Sequence, residues 1–81
     1  MARLEHDREA DAVYVYLGED RAVARTVRLA GDTIRTVDYD AEGAPVGVEF
    51  LEASGGLDLG GVPEAEAILR LADEHRLKVF A

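Results

Sequence analysis

The sequence predicts an α+β fold: an antiparallel β-meander of four to five strands with one C-terminal helix packed on the sheet. Three observations predict it. Apolar residues alternate with period 2 through the first two thirds of the chain. The connections between those runs are only two to five residues long, too short for parallel crossovers. From Ala65 to His75 the apolar spacing becomes helical.

Arg3 to Glu5 suits a short first strand, and the charged stretch His6 to Ala10 reads as a turn. Asp11 to Leu17 is the strongest strand, because Val13 to Tyr16 is an unbroken run of β-branched and aromatic residues. Val13, Val15 and Leu17 share one face, and Tyr14 and Tyr16 share the other. A strand apolar on both faces belongs inside the sheet, or turns one face to a partner. Gly18–Arg21 is a turn, followed by a strand over Val23–Leu29. Gly31–Asp32 is a tight turn into Thr33–Tyr39, in which Val37 and Tyr39 oppose Ile34, Thr36 and Asp38. Asp40–Gly43 closes a hairpin, with Gly43 free to take positive φ. Pro45–Leu51 is the last clear strand.

Ser54-Gly-Gly breaks the pattern, and 57–61 reads as a loop with Leu57 and Leu59 as apolar anchors. Pro63 suits the first helical position, and Glu64 and Glu66 suit the positive end of the helix dipole. The expected helix covers about 63–76, with Ala65, Ile68, Leu69, Ala72 and Arg76 as its inner stripe, flanked by Leu71 and His75. Residues 77–80 are too apolar for a free tail and suit an edge strand or a subunit contact. The whole of 1–81 reads as one domain, with its strands within 3–53.

A chain of 81 residues without cysteine has a small core and no disulfide or thiolate metal site to staple it. Small unstapled domains gain from a partner subunit, so a homo-oligomer, in the first place a homodimer, is expected. The expected interface residues are Tyr14, Tyr16, Val79 and Phe80. The net charge of −8 repels phosphate backbones and anionic lipid and favours a basic protein partner. No nucleic acid and no membrane is therefore expected as a partner. With no membrane-spanning run and no apolar signal core, the expected location is the cytoplasm. Eight of nine basic residues are Arg, a usage expected of a GC-rich bacterial genome.

Asp38, Asp40, Glu42, Gly43 and Glu49 have the spacing of a calcium-binding EF-hand loop. Two features oppose it: period-2 flanks where helices are required, and Pro45 where such a loop forms its short β pair. The competing reading is an acidic hairpin tip. A second constellation, Asp11 with Asp38 and Glu49, offers paired carboxylates for acid–base work. It comes without a nucleophile, and outward polar residues that bond to turns or pair with Arg25, Arg28 or Arg35 account for it better. His6 and His75 lack ligand spacing, and Gly55–Gly56 and Gly60–Gly61 are not followed by the lysine of a phosphate loop. The two tyrosines could stack bases, but no basic groove accompanies them. The residues favour a non-enzymatic self-associating or protein-binding module that needs no cofactor. A divalent-cation-binding protein or hydrolase-like enzyme built on the 38–49 hairpin is the alternative.

Leu4-Glu-His-Asp7, Glu9 to Leu17, Arg25-Thr-Val27, Val37 to Gly43 and Pro45 to Ser54 occur in an order and spacing that resembles the family called domain of unknown function 2283. The resemblance spans residues 4–53. It implies the same strand pattern and carries no activity, substrate or cofactor; residues 55–81 lie beyond it.

Overall fold

The computed structural model describes residues 2–19, 21–29 and 34–80. Five strands form one sheet: β1 (Arg3–Asp7), β2 (Ala12–Tyr16), β3 (Arg25–Arg28), β4 (Arg35–Tyr39) and β5 (Pro45–Phe50). A 3-10 turn at Ala53–Gly55, a short strand β6 (Leu57–Asp58), helix α1 (Ala65–Glu74) and β7 (Val79–Phe80) complete the chain. The fold is α+β, and every pairing in the five-stranded sheet is antiparallel. The turn expected at Gly31–Asp32 and the strand start at Thr33 lie outside the described residues.

The strand order is β1-β2-β5-β4-β3, so β2 pairs with β5 and β3 lies at the far edge. Succession along the chain would have put β3 beside β2. The two strands with the most apolar inner faces pair instead, Val13 facing Phe50 and Val15 facing Val48, which buries the largest apolar area at the sheet centre. The link from β2 passes the end of the β4–β5 hairpin. Leu17 N–H donates to Val46 O, the Arg21 guanidinium donates to Asp40 Oδ2 and Pro45 O, and Ala24 N–H donates to Tyr39 O.

One face of the sheet carries the core. Leu4, Val13, Val15, Leu17, Val37, Val48 and Phe50 pack against Leu57, Leu59, Val62, Ile68 and Ala72. The helix begins at Ala65 and ends at Glu74, two residues inside the expected span at each end. Glu64 is left-handed (φ 54°) and so cannot continue a helix from Pro63, and Arg76 (φ 57°) reverses the chain after the C-cap His75. Arg76 therefore drops out of the inner stripe. Leu69 also departs from it, at 45% exposed, while Ile68 and Ala72 are fully buried. Residues 79–80 do not join the large sheet. They pair in parallel with Leu57–Asp58 as a separate two-stranded ladder.

Arg35 shows how the second layer is attached. It lies on the apolar side of β4, opposite Phe50, and is buried. Its Nη1 donates to Asp58 O at 3.0 Å and to Gly60 O at 2.7 Å, with Asp58 Oδ1 at 3.7 Å. A buried guanidinium needs such acceptors; here they are backbone carbonyls of the loop that covers the sheet.

Candidate functional site

The sheet's other face is open. The pairing register places Arg3, Tyr16, Gly47, Asp38 and Thr26 in one row across all five strands. Glu5, Tyr14, Glu49, Thr36 and Arg28 form the next row. The Tyr14 phenol crosses over β5 and donates to Asp38 Oδ2 on β4 at 2.6 Å. It can do so because position 47 is glycine: a Cβ there would overlap the phenol Oη, Cζ and Cε2. Thr26 on β3 donates to the other oxygen, Asp38 Oδ1, at 2.5 Å. One carboxylate thus joins β2, β4 and β3.

A second cluster sits toward β1. Tyr16 donates to Glu5 Oε1 at 3.0 Å, Arg3 donates to Glu5 Oε2 at 2.7 Å, and the Arg3 guanidinium lies 3.9 Å from the Tyr16 ring centroid. The two tyrosine rings meet edge to face at 4.7 Å. Burial first, then the bond to Asp38, pushes the Tyr14 phenol well above its ordinary value. Tyr16 is raised by its bond to Glu5, and Glu5 is lowered by its bond to Arg3 and then by that to Tyr16.

The expected acidic residues do not all come together. Asp40 is buried at the hairpin tip and turned into its own loop. Its Oδ1 accepts the N–H groups of Glu42 and Ala44, both at 2.9 Å, and its Oδ2 accepts from Arg21 at 3.0 Å. These backbone donors, Ala44 first, hold its carboxyl below the usual range. Gly43 has φ 85°, as the hairpin requires. Strands flank Asp40 on both sides, and Glu42 is exposed at the tip. Asp11 lies at the opposite end of the sheet in a left-handed turn (φ 53°), accepting the Ser54 N–H at 2.8 Å and hydroxyl at 2.7 Å. Asp11 therefore stands apart from Asp38 and Glu49, which lie on the open face in adjacent rows beside Tyr14. Glu49 lines a shallow depression of about 320 Å³ with Glu5, Asp7 and Tyr14. Among the described residues, no group of three or more His, Asp or Glu side chains is arranged to hold a metal ion. His6, expected in a turn, lies within β1 opposite Val13.

Of the expected interface residues, Tyr14 and Tyr16 lie on the open face, and Val79 is half-buried against the core. Phe80 is 51% exposed, close over Gly56. The surface that sequence reasoning missed is β3. All four of its residues are exposed. Val27 points to the core side yet is 36% exposed, because the second layer stops short of it. The Arg25 guanidinium lies 4.6 Å from the Tyr39 ring centroid on that same side. Composition gave only a coarse signal: Arg-Thr-Val-Arg, like Arg-Leu-Glu-His-Asp of β1, has a single apolar residue, a pattern of edge strands.

Among the described residues, no helix is long and apolar enough to cross a membrane. A family model described as "Protein of unknown function (DUF2283)" matches residues 3–54. No curated protein and no solved structure gives a significant match to the chain.

Proposed function

The chain belongs to the DUF2283 family of proteins of unknown function, and from that premise we propose that it is a non-enzymatic association module whose partner is a second copy of itself. The observation that carries this reading is β3. Among the described residues it is a sheet edge with one paired neighbour, exposed on both faces, and its core-side valine is 36% exposed. An edge strand is a row of unsatisfied backbone donors and acceptors, which another strand completes. The small core adds a reason for a subunit to do so. Tyr14 then serves the seam from a distance, by fixing Asp38 on the strand beside it, while Tyr16 holds Glu5 at the β1 edge.

The acid–base alternative has less support. Asp11 and Asp40 are each committed to bonds that hold turns together, and a carboxylate tied in this way is poorly placed to ligate an ion or move a proton. Calorimetric titration with calcium and with magnesium checks it, and a flat trace is expected. Light scattering at micromolar concentration checks the main reading. A particle of twice the 8.8 kDa chain mass is expected; a strictly monomeric protein would overturn it.

A further inference from the structure

The β3 edge has a defined polarity. Leu29 N–H donates to Arg35 O. In an antiparallel ladder the backbone groups alternate in direction, so those of residues 25, 27 and 29 face β4, and those of Thr26 and Arg28 point out from the edge. A second β3 that meets this edge antiparallel must present its own Thr26 and Arg28 groups. Registers centred on Thr26, Val27 or Arg28 all set outward groups against outward groups, and only the one on Val27 uses both residues of each copy. Centring between residues 26 and 27 would set outward groups against inward ones. Centring on Val27 sets Thr26 opposite the partner's Arg28, a hydrogen-bonded pair, on both sides of the axis.

The side chains agree with that register. On the core side, Val27 faces the partner's Val27 in a non-hydrogen-bonded pair, the closer of the two pair types, and Arg25 with Tyr39 beneath it faces the partner's Leu29. On the open side, Asp38, Thr26 and the partner's Arg28 fall in one row. Asp38 and that arginine are then two strand spacings apart, ~10 Å between backbones, a span that an extended arginine and an aspartate close over the short threonine. The charges are complementary where they meet. Arg21 is already paired with Asp40, and Arg25 is stacked on Tyr39. Arg28 has no ion-pair partner among the described residues. Glu49, two strands away in its own row, does not pair with it, and Asp38, held by Tyr14 and Thr26, is the carboxylate of the row that it meets across the seam.

We infer that two copies join antiparallel about Val27 into a continuous ten-stranded sheet, in which the partner's Arg28 reaches over Thr26 to complete the Tyr14–Asp38–Thr26 network. The inference rests on the self-association reading above and adds its register and its ion pair. The helices of both copies then lie on the same side of the joint sheet, and the two open faces merge.

The chain has no cysteine, so single-cysteine variants report the register directly. Directly opposed non-hydrogen-bonded residues have Cα atoms about 4.5 Å apart, within disulfide range. Val27→Cys is expected to cross-link under mild oxidation roughly tenfold faster than Arg25→Cys or Arg28→Cys. Arg28→Glu sets like charges in one row and is expected to raise the dimer dissociation constant by roughly tenfold, with Arg28→Lys close to the parent. Arg28→Pro removes an outward N–H that β4 does not use, and is expected to give a folded monomer by circular dichroism and light scattering. A dimer that cross-links best from another position, or that is indifferent to Arg28→Glu, overturns the register and the ion pair while leaving self-association standing. A monomeric parent protein overturns both.

Discussion

The two edges of the sheet carry apolar residues on the same face and treat them differently. Leu4 on β1 is 7% exposed, under the helix; Val27 on β3 is 36% exposed and, among the described residues, outside the core cluster. Each strand has a single apolar residue, so apolar content alone does not separate them. Cover does. The helix and the 57–62 loop close over β1, β2 and β5, and the sheet extends past them at β3. An edge finished by its own chain is structural; an edge left unfinished on both faces is where a partner strand adds most.

The sharpest way to break this contrast is to remove the two side chains in turn. Leu4→Ala should cost about 2–3 kcal/mol in urea denaturation, since it empties part of a packed core. Val27→Ala should cost the monomer no more than about 0.5 kcal/mol and act on the association constant. Comparable losses from both would mean that β3 is covered within its own chain.

Tyr14→Phe comes next. It removes a donor to a half-buried carboxylate that keeps its Thr26 bond, so about 1 kcal/mol is expected rather than the larger value of a fully buried charged bond. Gly47→Ala should cost at least as much, because the phenol has to leave the row. A pH arm isolates the bond. The folded Tyr14 value lies above the unfolded one, so its contribution is complete below about pH 10 and is lost as pH rises toward the folded value. Stability of Tyr14→Phe should fall less over that alkaline range.

Asp40 sharpens the comparison at the β3 end. Its folded value is lowered, so its contribution is present above the ordinary carboxylate range and is lost as pH falls through the folded value. Asp40→Asn should flatten the acid limb of a melting-temperature profile and leave the alkaline limb unchanged. The smallest effect is expected at the β1 end. Glu52 is left-handed (φ 53°) and makes no side-chain capping bond, so Glu52→Gly should raise stability by about 0.5 kcal/mol.

The individual strands were legible because alternation writes itself locally. Val13, Val15 and Leu17 announce an inner face without reference to any other segment. Their partners were not legible. That β2 chooses β5 over β3 follows from summed apolar burial in three dimensions, which short loops do not reveal. Arg35 stood in plain view on the Val37–Tyr39 side of its strand, an arginine on an apolar face, but its acceptors are carbonyls more than twenty residues away. The start of the helix was misplaced because Pro63 is a permissive signal, whereas the left-handed turn at Glu64 is set by the loop it closes. As for the site, each acidic residue was visible and their bonding was not. Tyr14 reaches Asp38 across an intervening strand, and only the bare glycine between them makes that contact possible.

The latch formed by Arg35 has a consequence for how the molecule opens. The segment beyond the family match supplies Leu57, Leu59, Val62, Ile68 and Ala72, one whole wall of the interior, and this guanidinium ties that wall to the centre of β4. Peeling the wall away would take the Asp58 and Gly60 carbonyls from a guanidinium buried against Phe50, a cost that favours the two layers parting together. Amide protons of Leu57 and Leu59, bonded to Lys78 O and Phe80 O, should then exchange at the global unfolding rate, although they belong to a ladder of only two short strands.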